Sequence, residues 1–257
     1  MMNWQSIEEQ MVAFLQKEAK AIGVQKVVLG ISGGLDSAIV AVLCAKAFGS
    51  ENVVGVLLPS HMSSDASAAD AIKLCDKFDI SYETVEIAPM VKGYFDNNVK
   101  DADPLRIGNF SARMRMAVLY DISARENAIV VGTSNRSEIL LGYGTLYGDT
   151  ACAINPLGQM YKSDEFEFAR FLGVIDEIID KKPSADLWEG QSDEEELGYT
   201  YKTMDDVFKL MLEEDYTKAD LIASGVEAKL VDMLNYRMKA NAFKGKLPTI
   251  ANINFKN

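Results

Sequence analysis

The stretch VVLGISGGLDSAIVAVL, residues 27–43, decides the fold. An apolar run stops on Ser32-Gly33-Gly34, and a second apolar run begins just past Asp36 and Ser37. A strand, a glycine turn and a helix in that order place the unpaired, partly positive N–H groups of a helix start at the turn. Glycine carries no Cβ to keep a ligand off that backbone. The turn reads as an anion cradle suited to phosphate, with the hydroxyls of Ser32 and Ser37 as added donors.

Two familiar phosphate loops do not fit. A Walker loop needs a Gly-Lys-Ser/Thr ending, and no lysine stands in this turn. A dinucleotide fingerprint needs Gly-x-Gly-x-x-Gly, which Gly30-Ile31-Ser32 breaks. The turn instead offers a carboxylate, Asp36. A carboxylate beside phosphates repels them unless a cation lies between, and Mg²⁺ commonly bridges the two. Asp36 is a candidate magnesium ligand; a helix-cap carboxylate is the other reading.

Further along, residues 4–20 carry apolar residues at helical spacing, and short apolar strands are predicted at 26–31, 52–58, 82–87 and 128–132. Helical patterns fall at 37–48, at about 63–78, up to about 126, and at 135–141. Strands alternating with helices give right-handed βαβ units, hence an α/β fold with a doubly wound parallel sheet and helices on both faces. From about 160 the pattern is helical, forming a C-terminal extension over about 161–257 on a nucleotide-binding core of about 20–160. It is interrupted by the polar stretch 183–200, which reads as a mobile loop whose acids, Asp193 to Glu196, form a solvated face.

Composition removes several function classes. The 257 residues carry a net charge of −12, so a long nucleic acid is not an expected partner. No apolar run is long enough for a membrane span, and the N-terminal residues lack a secretory core. A cytoplasmic soluble protein with no membrane association is expected. Cys44, Cys75 and Cys152 are widely spaced, which suits neither a disulfide framework nor a zinc site. Cys44 and Cys75 are expected to be packing residues. His61 is the single histidine, so a histidine-rich metal site is excluded.

The hexapeptide SGGLDS, residues 32–37, resembles the SGGxDS pyrophosphate loop of the ATP pyrophosphatases. Seven further stretches follow in order: GNFSARMRM (108–116), VVGTSNRSE (130–138), GYGTLYGD (142–149), NPLGQMYKS (155–163), KPSADLW (182–188), DEEELGYTY (193–201) and NAFKGKLP (241–248). Together they are similar to the ammonia-dependent NAD synthetases over essentially the whole chain. The resemblance implies an adenine nucleotide alpha hydrolase-like fold and a homodimer. It also implies amidation of deamido-NAD with ammonia, at the cost of ATP split to AMP and pyrophosphate. The chemistry is reasonable, because a carboxylate is a poor electrophile until adenylation gives it a leaving group.

Residue roles follow from the same resemblance. It implies ATP contacts at Gly30, Ile31, Ser32, Gly33, Gly34, Leu35, Asp36, Ser37, Thr133, Lys162 and Ser184, and magnesium carboxylates at Asp36 and Glu138. Asp36, Glu138 and Lys162 would carry the catalytic step. Thr133, just past the fourth strand, faces the phosphate loop if that strand neighbours the first; a helix N-cap is its alternative. Glu138 could otherwise be a surface acid, and Lys162 a solvated lysine. Ser184 matches a hydroxyl on a phosphate-covering lid. Arg113 and Lys244 match deamido-NAD contacts, and Arg115 is either a second anion contact or half of a structural ion pair.

Three departures stand out. Leu146, Ala153 and Phe243 occupy positions that are lysine, aspartate and histidine in many relatives. The way deamido-NAD is gripped is therefore open, while the ATP half is intact. With the phosphate loop beginning at residue 30, no glutaminase domain is expected. Other readings are a GMP synthetase core or a non-catalytic nucleotide-binding module.

Overall fold

A computed structural model describes residues 2–61, 64–99, 101–184 and 192–253. Four strands, β1 (Lys26–Gly30), β2 (Val53–Leu57), β3 (Tyr82–Thr84) and β4 (Ala128–Val130), form one parallel sheet in the order β3-β2-β1-β4. The first part of the chain supplies helices α1 (Trp4–Ile22), α2 (Leu35–Phe48), α3 (Asp65–Lys77), α4 (Ala88–Asn98), α5 (Pro104–Glu126) and α6 (Arg136–Leu141). The later part supplies α7 (Lys162–Leu172), α8 (Asp176–Ile179), α9 (Asp193–Leu197), α10 (Tyr201–Leu212), α11 (Lys218–Ala223) and α12 (Ala228–Asn241).

The period-two alternation of β1 divides the core. Val27 and Leu29 point to one face, where they pack with Ile39, Leu43, Phe168 and Leu172 of α2 and α7. Val28 points to the other, beside Val91 of α4 and Ile122 of α5. Both faces of the sheet are thus covered, as parallel strands require. Ten of the fourteen residues of α2 are buried, because it lies between the sheet, α1 and α7. A helix packed on several sides has no polar face to show.

The expected strands form, with shorter ends. Past β3, Val85 N and Ile87 N still donate to Leu57 O and Pro59 O at 2.9 and 3.0 Å, so the chain keeps bonding along β2 without regular pairing until α4 begins. Past β4, Val131 bridges Ile154 and leads the chain into the site. Cys44 and Cys75 are buried, as expected of packing residues.

α10, α11 and α12 build a second apolar cluster with Leu141 of α6, centred on Tyr201, Phe208, Leu221 and Leu234. α7 and α8 pack instead in the main cluster with α2. Among the described residues, no helix is long and apolar enough to cross a membrane.

One expectation is corrected. The acids 193–196 lie in α9, where Glu195 and Glu196 are exposed as expected, but Asp193 is buried at 4% exposure. Two tyrosines account for this, since Tyr143 OH donates to Asp193 Oδ1 at 3.1 Å and Tyr201 OH reaches Oδ2 at 3.3 Å. Residues 185–191, part of the expected mobile loop, lie outside the described residues.

Candidate active site

The sheet order makes β1 and β4 neighbours, with β2 and β3 on the far side of β1. The chain turns back at this point, and the crevice between two such strands opens at their carboxyl ends. A cavity of about 570 Å³ lies there. Its walls include residues 30–37 after β1, residues 130–134 at the end of β4, Lys162 and Ser184. Val56, Leu57, Leu58, Met116 and Leu119 give it an apolar side.

The phosphate loop is held from within. Gly33 has φ +77°, a conformation that favours glycine. Gly34 is the N-cap of α2 and supplies no side-chain cap, so the first-turn N–H groups of α2 are left for a ligand. Ser37 is buried; its Oγ accepts from Ser32 N at 3.2 Å and donates to Gly34 O at 3.0 Å. Ser37 therefore braces the turn, while Ser32 is exposed and open to a ligand. Ile31 contributes backbone to the loop, since its side chain is in the core.

Asp36, Glu138 and Lys162 come together although 126 residues separate the first from the last. Asn135, fully buried, is the link that sequence reasoning missed. As N-cap of α6 it accepts from Glu138 N at 2.9 Å, and Glu138 Oε2 in return accepts from Asn135 N at 3.2 Å. Its Nδ2 donates to Asp36 Oδ1 at 2.7 Å. The Asn-x-x-Glu spacing is a capping-box signal and was legible; the reach to Asp36 was not. Thr133 lines the cavity, and because Asn135 takes the N-cap, the alternative role for Thr133 falls away.

Lys162 opens α7 and is 3% exposed, so it is no solvated lysine. Its Nζ pairs with Asp36 Oδ2 and lies 3.3 Å from Glu165 Oε2. Its backbone N donates to Ser137 Oγ, whose hydroxyl donates to buried Asp205 at 2.6 Å; Asp205 also accepts from Ser163 N. This network fixes the start of α7 against α6 and α10.

Charge is unevenly shared among these groups. Burial works to raise the Asp36 carboxyl, but the Lys162 charge and hydrogen bonds outweigh it and hold Asp36 below the usual carboxylate range. Burial, with the Asp36 charge second, pushes Glu138 well above its ordinary value. The same two causes raise Glu165, which is fully buried. Burial opposes the charged form of Lys162, yet Asp36 and Glu165 keep it protonated.

The donor set suits a hard cation. Among the described residues no three metal-ligating side chains gather into a complete cage. Two carboxylates joined through Asn135 at the cavity wall fit Mg²⁺, which takes its remaining ligands from phosphate and water.

The residues expected to grip deamido-NAD stand differently. Arg113 is exposed, and its Nε donates to Leu146 O at 3.2 Å. Lys244 Nζ donates to Gly142 O and Gly144 O at 2.7 and 2.9 Å. Both brace, from outside, the loop 142–150, whose Gly144, Thr145, Gly148 and Asp149 line the cavity. Arg115 does line the cavity, with Nε donating to Leu58 O at 3.0 Å.

Comparison with known proteins places this geometry in context. Residues 7–248 match the family described as NAD synthase. The NH(3)-dependent NAD(+) synthetase of Wolinella succinogenes is 49% identical over 251 residues, covering 98% of this chain and 97% of that protein. Among solved structures, an NMN synthetase from Francisella tularensis superposes with a TM-score of 0.87 at 31% identity, covering 98% of this chain and all (100%) of the other. The NH3-dependent NAD synthetase of Campylobacter jejuni gives 0.83 at 39% identity, with 98% and 100% coverage.

Proposed function

Because the chain belongs to the NAD synthase family, we propose that it amidates deamido-NAD with ammonia, using ATP and releasing NAD, AMP and pyrophosphate. It is then a ligase that forms a carbon–nitrogen bond. The observation that carries the reading is the meeting of Asp36, Asn135, Glu138 and Lys162 beside a glycine turn at a helix start. A non-catalytic nucleotide module has no use for this buried set. Ammonia as nitrogen donor follows the names of relatives that the chain covers almost end to end.

In this reading the first-turn amides of α2, with the Ser32 hydroxyl, bind the β and γ phosphates. Thr133, across the crevice, and Ser184 add hydroxyl donors. Asp36 and Glu138 would hold Mg²⁺, which when bound neutralises charge on the departing pyrophosphate. Lys162 supplies a fixed positive charge at the same place. The nicotinate carboxylate attacks the α phosphorus, pyrophosphate leaves, ammonia attacks the acyl carbon, and AMP leaves. The residues position the reactants and stabilise charge.

A homodimer is part of the proposal. Phe243, Leu247, Ile250 and Ile253 are 58–91% exposed, and an apolar run so bare supports burial against a second copy. The same contact would bring further groups to the dinucleotide.

A second reading concerns substrate size. The fold matches an NMN synthetase closely, and Leu146, Ala153 and Phe243 offer no charge to a dinucleotide. Nicotinate mononucleotide is therefore the second candidate substrate. One assay tests both: protein, ATP, Mg²⁺ and ammonium with deamido-NAD, with nicotinate mononucleotide, or with XMP. NAD, AMP and pyrophosphate formed fastest from deamido-NAD are expected. A higher kcat/KM for the mononucleotide would favour the second reading, and AMP formed only with XMP would refute both.

A further inference from the structure

A lysine outside the residues assigned above holds the phosphate loop in shape. Lys181 follows α8, and its Nζ lies 2.6 Å from Asp70 Oδ2, 3.2 Å from Gly33 O and 3.4 Å from Ser67 Oγ. An ammonium has three donors and no acceptor, so these contacts engage all of them. Asp70, on α3, is 7% exposed. The hydrogen bond from Lys181 holds its carboxyl below the usual range against the opposing effect of burial.

The loop and α3 leave no slack between them. A Cβ at Gly33 would fall 2.1 Å from Ser67 O. The turn is clamped between the first turn of α3 on one side and the Lys181 ammonium on its carbonyl. A trans peptide is planar, with C=O and N–H pointing opposite ways. Fixing Gly33 O toward Lys181 therefore aims Gly34 N–H away from it, where it donates to Ser32 Oγ at 3.2 Å.

We propose that Lys181, anchored by Asp70, is a positioning residue that sets the Gly33–Gly34 amide plane and so preorganises the phosphate cradle. Its ammonium is committed to Asp70, Ser67 and Gly33, so it acts through the loop and not as a phosphate ligand. Its contribution is to make the cradle present before nucleotide arrives, and preorganised donors stabilise a ligand without reorganisation cost. The inference rests on the phosphate-loop reading given under Proposed function.

The test is titration calorimetry on the full chain with Mg²⁺-ATP, Mg²⁺-pyrophosphate and adenosine, alongside thermal melting. For K181M we expect both phosphate ligands to weaken about tenfold or more, the scale of a lost charge-assisted hydrogen bond, while adenosine stays within about twofold. K181R should recover most of the loss. D70N should show a smaller loss of the same pattern, and K181M/D70N should be no weaker than K181M alone. If K181M melts below the assay temperature, D70N carries the comparison, since it leaves Lys181 present but unanchored. Unchanged ATP binding, equal weakening of adenosine, or additive losses in the double variant would overturn the proposal. A wild-type protein that binds neither ATP nor pyrophosphate overturns the parent reading too, and shows itself before any variant is made.

Discussion

Asn135 Nδ2 donates to Asp36 Oδ1 at 2.7 Å while Asn135 Oδ1 accepts the Glu138 N–H at 2.9 Å. One buried amide thus sets the spacing of two carboxylates that arise 102 residues apart, from Asp36 after β1 and Glu138 after β4. Asn135→Ala should fold with a stability loss of about 1–3 kcal/mol, the cost of a buried polar group left unpaired. It should also raise the Mg²⁺ concentration for half-maximal rate more than the KM for ATP. Urea unfolding and a magnesium titration of turnover check the two parts. A variant with lower stability and normal magnesium dependence would make Asn135 a helix cap alone.

Lys162 is the positive centre of the site, with Asp36 and Glu165 against it. Lys162→Met should abolish most turnover. Without ligand it should also cost about 3–5 kcal/mol of stability, since removing one partner strands the other charge in a buried setting. Denaturant midpoints of the ligand-free protein read this directly. A loss below about 1 kcal/mol is the range of a surface pair and would place Lys162 in solvent.

Asp70 gives the protein a pH signature separate from catalysis. Its carboxyl is depressed in the folded state by Lys181, so its contribution is complete above the unfolded value of about 3.9. That contribution fades as pH falls through the lower folded value. The melting-temperature gap between wild type and Asp70→Asn should be full at neutral pH and narrow steadily below that unfolded value. A gap that widens on acidification would mean the aspartate is not paired in the native state.

Lys244 and Arg113 brace the loop 142–150 through its carbonyls. Lys244→Met should raise the KM for deamido-NAD several-fold and leave the KM for ATP within about twofold, because the phosphate loop takes no support from that side. Steady-state kinetics with each substrate varied in turn will decide. Equal changes in both constants would mean the whole cavity depends on this brace.

The sequence showed the strand, turn and helix at 26–48 because backbone chemistry there is local: apolar alternation, glycines and a helix start lie side by side. Thr133 could be placed opposite the loop only on condition that the first and fourth strands pair, and the sheet order meets that condition. The burial of Asp193 is not legible in the sequence, because its partners, Tyr143 and Tyr201, come from other elements and nothing near it in the chain signals burial. The role of Lys181 is hidden in the sequence for the same reason. Its meaning lies in contacts with Gly33 and Ser67, 148 and 114 residues earlier in the chain. Glu165, by contrast, stands three residues after Lys162 on α7 and could have been suspected from helical spacing.

The central claim is that the turn after β1 holds a triphosphate by its amides while Asp36 and Glu138 share a divalent ion. A crystal structure with Mg²⁺ and a non-hydrolysable ATP analogue tests it most directly. The β and γ phosphates should rest on the N–H groups of residues 33–37, with the metal between the two carboxylates. Nucleotide bound away from that turn, or a metal held by neither acid, would contradict the account.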